Sequence, residues 1–233
     1  GLLHDVQQCT PVTITMADVS CSEDSMLVFS SEADLTDDAS STSSSTAAVK
    51  TVLYSGGVLS DATLVNQTAS KVRSVFAPKV IAAQLAQSTL NLSPTAANVL
   101  FSSVASLLGS PGQLNYSGAN AVLDAMASVA QQQGVSSMSI QWGAWAGAGM
   151  AAHDKSTALR VERLGMGMVE THAGLNALQY VLMNGAGGSQ FTAVPFKWSK
   201  FLQRLGGDVP AMFALYAPLK MMAAEPAAAA RQP

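Results

Sequence analysis

Charge is scarce in this chain of 233 residues: Asp, Glu, Lys and Arg make up 12% of it, against a hydrophobic share of 48%. The formal net charge is −3 and no basic cluster occurs, which argues against a nucleic-acid partner. Cysteine is nearly absent. Cys9 and Cys21 lack metal-ligand spacing and any disulfide-dense context, so they read as reduced thiols of an intracellular, cytoplasmic protein, and no metal site is expected. No apolar run approaches the roughly 20 residues that a membrane helix needs. The start, "GLLHDVQQ", holds neither an initiator methionine nor a signal peptide, and the end, "AAEPAAAARQP", has the composition of a linker. Both ends read as cut from something longer.

The chain does contain five short β-rich or apolar runs: "VTITM" (12–16), "TVLYS" (51–55), "NVLFSS" (98–103), "SMSIQW" (137–142) and "QFTAVPF" (190–196). Helical patterns separate them, which predicts βαβ units and a parallel sheet covered on both faces. Ser20 and Glu23 have capping-box spacing for a helix after the first run. Residues 30–48 are serine-rich and acidic and read as a solvated loop. Apolar spacing predicts helix over 61–87, interrupted by Pro78 with a kink or restart near Ala77. Two more helices are predicted over 116–134, closed by Gly134, and over 173–183. The expected organisation is a catalytic unit over 1–205 and a C-terminal helix or linker over 206–233.

Four polar residues stand out. Tyr116 and Asn120 are one helical turn apart and share a face. Ser102 and Ser103 end an apolar strand, where open α/β sheets build their sites. Lys79 follows Pro78 inside an otherwise apolar helix. Taken singly, the tyrosine is an ordinary core-edge residue, the serines are loop hydrogen-bonders and the lysine reaches for solvent.

Taken together, Lys79, Ser103, Tyr116 and Asn120 resemble the catalytic tetrad of polyketide synthase ketoreductase domains, in the short-chain dehydrogenase/reductase superfamily. The segments "GVLSDATLVNQTASKVRSVFAPKV", "VLFSSVASLLGSPGQLNYSGANAVLDA", "IQWGAWAGAGMA" and "VPFKWSKF" resemble that family's motifs in the same order, from about residue 10 to 205. Most other short-chain reductases carry a lysine four residues after the tyrosine. This chain has Asn120 there and Lys79 on the preceding helix, the arrangement of polyketide ketoreductases.

The resemblance implies a Rossmann-like parallel sheet with helices on both faces, and NADPH-dependent reduction of a β-ketoacyl thioester tethered to an acyl carrier protein among neighbouring synthase domains. Tyr116 would donate the proton, Ser103 would hold the carbonyl oxygen, and Asn120 would orient Lys79 or a water. Lys79 and Tyr116 would also meet the cofactor, with Asp18 and Val19 on the adenine, Ser55, Gly56 and Gly57 near the ribose, and Gly143, Ala144 and Trp145 over the nicotinamide. Asp61, Leu108, Gln113 and Met150 would face the substrate. Leu59, Ser60 and Asp61 stand where one stereochemical class carries "LDD", and Leu108 stands where the other carries tryptophan, which favours the D-configured (R) hydroxyl. The family's Gly-rich phosphate loop does not occur in the chain, so the fold is expected to be truncated at its N-terminus and completed by a missing segment. A catalytically silent structural region of a synthase and a free-standing reductase for small ketones are the alternatives.

Overall fold

The computed structural model describes residues 49–89, 92–147, 155–184 and 188–222. The strand expected at 12–16, the capping-box helix start and the serine-rich stretch 30–48 lie outside the described residues.

Four strands, β1 (Val49–Tyr54), β2 (Leu92–Ser103), β3 (Ser137–Trp142) and β4 (Gln190–Ala193), form one sheet in the order β1-β2-β3-β4. Every pairing is parallel, with Tyr54 opposite Leu100, Ser103 opposite Trp142 and Trp142 opposite Ala193. Parallel neighbours need crossover connections, and each crossing here runs through helices. These are α1 (Ala69–Phe76) and α2 (Ala82–Thr89) after β1, α3 (Val104–Leu108) and α4 (Leu114–Gln132) after β2, and α5 (Lys155–Arg163) and α6 (Thr171–Asn184) after β3.

Successive side chains along a strand point to opposite faces, and both faces are covered. Leu100 packs on Ala83 of α2 and on Leu123 and Ala127 of α4. Val99 and Phe101 belong instead to a core with Ile140, Trp142 and Val181 of α6. This is the doubly covered parallel sheet that the apolar runs predicted. The last strand is shorter than its run, since 194–196 do not continue it. Beyond it, α7 (Trp198–Arg204), a 3₁₀ turn (Ala211–Tyr216) and α8 (Pro218–Met222) pack through Phe201, Leu202 and Phe213.

The helix predicted over 61–87 departs in two ways. Residues 61–68 are not α-helical: Thr68 has extended backbone and caps α1, its side chain accepting from the Lys71 N–H at 3.3 Å. The preceding loop is held by Asn115, whose Nδ2 donates to the Ser60 and Lys71 carbonyls at 2.8 and 3.2 Å. Pro78 does not break the helix. Ala77–Ile81 widens into a π-turn, with the Ala82 N–H donating to the Ala77 carbonyl. A proline inside an α-helix lacks an N–H and collides with the carbonyl four residues back; a wider turn absorbs both defects. Lys79 sits in the middle of that turn.

The helix carrying Tyr116 starts two residues earlier than predicted, which places the tyrosine in its first turn. It closes at Gly134, whose φ of +81° is a conformation that glycine adopts without strain.

Candidate active site

Ser103 is the last residue of β2 and the N-cap of α3, where its Oγ accepts from the Ala105 N–H at 3.2 Å. A hydroxyl that accepts there still has its proton to donate. Ser102, one residue back, points the other way and is buried; its Oγ donates to the Asn120 carbonyl at 3.2 Å. Both serines line the same cavity, but their hydroxyls differ in partner: Ser103 caps α3 and Ser102 ties β2 to α4.

Tyr116 is 9% exposed. Burial raises its pKa, while hydrogen bonds from Ser103 and then Asn120 pull it back, and the Asp61 charge adds a smaller rise. Lys79 lies close by, its Nζ 5.4 Å from the centre of the Tyr116 ring and donating to the Phe101 carbonyl at 3.0 Å. Lys79 is 5% exposed, and desolvation lowers its pKa to about 8 against a partial rise from Asp124. Asn120 is fully buried. Its Nδ2 donates to the Tyr116 carbonyl at 2.8 Å, and its Oδ1 has no partner among the described residues. No direct hydrogen bond joins Asn120 to Lys79 among the described residues; the lysine donates to the Phe101 carbonyl of β2.

Lys79, Ser103 and Tyr116 open onto a cavity of about 420 Å³ at the carboxyl ends of the strands, which Asn120 does not line. Of the residues expected at the cofactor, Ser55, Gly57, Gly143, Ala144 and Trp145 line it. Gly56 does not; a Cβ there would come within 2.9 Å of the Pro78 carbonyl oxygen, so this glycine lets the turn after β1 approach the π-turn. Asp18, Val19 and Met150 lie outside the described residues. Of the residues expected at the substrate, Leu108 and Gln113 line the cavity. Asp61 stands behind Gln113, accepting from its Nε2 at 2.9 Å.

Phe101, Trp142, Arg160, Leu164 and Met166 also line the cavity and were not foreseen. Trp142 was legible in principle as the end of a strand run. Phe101 lies within the strand run 98–103, while Arg160, Leu164 and Met166 depend on the placement of α5 and the residues just after it, for which the sequence carries no local signal. No group of three or more potential metal ligands occurs among the described residues. The lining near Lys79 and Tyr116 suits the nicotinamide end of a dinucleotide: small residues on two sides, an aromatic wall at Trp145 and hydrogen-bonding groups at the floor.

A parallel sheet with helices on both faces, carrying serine, tyrosine, lysine and asparagine at its carboxyl edge, defines a fold of the short-chain dehydrogenase/reductase type. Within that class the chain belongs to the KR (ketoreductase) domain family, whose model matches residues 10–147. It is 39% identical over 137 residues to the phenolphthiocerol synthesis polyketide synthase type I Pks15/1 of Mycobacterium marinum, covering 58% of this chain and 6% of that one. It is 37% identical over 153 residues to the polyketide synthase GfsA of Streptomyces halstedii, covering 64% of this chain and 2% of that one. Among solved structures, an A1-type ketoreductase superposes with a TM-score of 0.79 at 27% identity, over 94% of this chain and 44% of the other. A C2-type ketoreductase from a modular polyketide synthase shares the fold at a TM-score of 0.70 and 23% identity, over 92% of this chain and 43% of the other. The chain thus spans under half of those structures and a few per cent of the synthases it matches.

Proposed function

We propose that this chain reduces the β-keto group of an acyl thioester, presented on an acyl carrier protein within a cytoplasmic polyketide synthase, with NADPH as reductant. The observation that carries the reading is the meeting of Tyr116, Ser103 and Lys79 at one cavity, with the tyrosine hydroxyl facing Ser103 and the ammonium beside its ring. When bound, NADPH supplies the hydride that reaches the β-carbon. Ser55 and Gly57 on one side and Gly143, Ala144 and Trp145 on the other are the residues to hold its nicotinamide end, with Asp18 and Val19 assigned to the adenine.

The protein's own task is the proton. As the carbonyl electron pair moves onto oxygen, Ser103 donates a hydrogen bond to that oxygen and Tyr116 transfers its phenolic proton to it. The developing phenolate is stabilised by the Lys79 ammonium, which burial strengthens by removing competing water. Without that charge, burial alone works against ionisation of the tyrosine.

The D-configured hydroxyl is the proposed product. Asp61 and its hydrogen bond to Gln113 fix the loop at one side of the cavity, and Leu108 lines it in place of a tryptophan. Chiral chromatography of the hydroxyacyl product tests this, with the L-configured product as the contrary result. The reaction itself is tested by NADPH consumption with an N-acetylcysteamine β-ketoacyl thioester in the intact polypeptide that carries this chain. Tyr116→Phe is expected to lower turnover by about a hundredfold or more. Undiminished turnover in that variant contradicts the proposed proton donor.

A further inference from the structure

Among the described residues, the proposed chemistry leaves one buried carboxylate unused. Asp124 lies on α4, two turns past Tyr116 and one past Asn120, and is 6% exposed. It accepts three hydrogen bonds, from Ser139 Oγ at 2.5 Å, Ser106 Oγ at 2.6 Å and Gln141 Nε2 at 2.8 Å. Ser139 and Gln141 are β3 residues on the face toward α4, alternating with Ile140 and Trp142, which face the opposite core. That β3 face is therefore polar where a covered sheet is ordinarily apolar. Taking a carboxylate out of water costs several kcal/mol even when it is paired, so apolar packing would serve stability at least as well.

The connections from Asp124 lead to the site. Ser106 Oγ also lies 2.8 Å from the Ser103 carbonyl, so its proton is shared between that carbonyl and the carboxylate. Ser102 Oγ is 3.5 Å from Ser106 Oγ and donates to the Asn120 carbonyl. The backbones of Ser103 and Asn120 are thereby joined to one cluster. The groups against Lys79 are few: Tyr116 from α4, the uncharged Phe101 carbonyl from β2, and Gly57 from the turn after β1, with the charge of Asp124 on α4 also acting on it. Arg160 adds a cation to the same cavity lining. Asp124 acts on Lys79 against the desolvation that favours its neutral form.

Resting on the reading of Tyr116, Ser103 and Lys79 as a reductase site, we propose that Asp124 is a positioning residue for it. Asp124 holds the strand end that bears Ser103 through Ser106, and its buried charge favours the ammonium form of Lys79. A merely structural Asp124 would join β3 to α4 and leave Lys79 unaffected.

Competitive acylation of Lys79 by acetic anhydride in the intact polypeptide, read by peptide mass spectrometry across pH, reports the lysine's protonation without cofactor or substrate. The wild-type midpoint is expected near about 8. Asp124→Asn removes the charge yet keeps hydrogen-bonding atoms, because serine hydroxyls accept as well as donate. It is expected to lower the midpoint by about half a pH unit or more. Should that variant not fold, Asp124→Ser replaces it, since Asp124 borders a second, solvent-open cavity from which water can enter the space left. Ser106→Ala keeps the charge and is expected to leave the midpoint unchanged while lowering kcat for thioester reduction. A wild-type midpoint in folded Asp124→Asn or Asp124→Ser, with thioester reduction intact in the wild type, overturns this proposal alone. A lowered midpoint in those variants of a protein that reduces no thioester supports the Asp124–Lys79 coupling and overturns the reductase reading.

Discussion

Among the described residues Lys79 carries a sharp energetic conflict, a charged residue 5% exposed with one hydrogen bond to a carbonyl. Its pKa is about 8 when folded, against 10.5 unperturbed, so between those values the folded protein binds fewer protons than the unfolded chain. Stability therefore rises with pH across that window, by an amount on the order of 3 kcal/mol from this group. Tyr54 works in the opposite sense above pH 10. Burial pushes its pKa up to about 12, so the folded protein retains a proton that the unfolded chain has lost, and stability falls again. Urea unfolding followed across pH should show the rise between about 8 and 10, and Lys79→Met should abolish it. The same variant should be no less stable than wild type at pH 7, where the cost of burying the charge is greatest, while thioester reduction falls by about a hundredfold or more. Thioester reduction by the wild type should decline as pH rises through about 8, where the ammonium is lost.

The π-turn at Ala77–Ile81 and the loop after β3 position these side chains, and both depend on glycines. A Cβ on Gly57 would lie 3.0 Å from Lys79 Cε, and one on Gly174 of α6 would lie 2.3 Å from the Trp145 ring. Gly174→Ala is accordingly expected to destabilise the protein by about 1–3 kcal/mol and to raise KM by displacing the tryptophan wall. A thermal melt and initial-rate kinetics check the two parts. Much of this architecture was legible in the sequence. The runs at 51–55, 98–103 and 137–142 are apolar because their strands are covered on both faces, and Tyr116, Ser103 and Lys79 were identified by their spacing within family motifs. What was not legible is set by distant contacts. Residues 61–68 have helical apolar spacing but form a loop with a short 3₁₀ turn, flanked by the Ser60 and Lys71 carbonyls that Asn115, more than forty residues away, binds. Pro78 reads as a break, yet the turn widens around it while Gly56 admits the Pro78 carbonyl. Arg160 and Leu164 reach the cavity only through the placement of α5.

Across the molecule, the described residues gather the polar groups of the cavity at one edge of the sheet, beside a buried polar cluster around Asp124. The carboxyl ends of β1, β2 and β3 present Ser55, Ser103 and Gly143 to a single cavity, and the helix carrying Tyr116 and Asn120 packs on β2 and β3 behind it. The frame is that of a KR domain. The account's central claim is that hydride and proton meet across this cavity, with Tyr116 as the proton's source. Its most direct test uses NADPH carrying deuterium at the transferring position and a β-ketoacyl thioester, with the intact polypeptide and mass spectrometric analysis of the product. The account predicts one deuterium on the β-carbon of a hydroxyacyl thioester in the wild type and almost none formed in the same time by Tyr116→Phe. Absence of label in the wild-type product, or equal labelled product from both proteins, would contradict it.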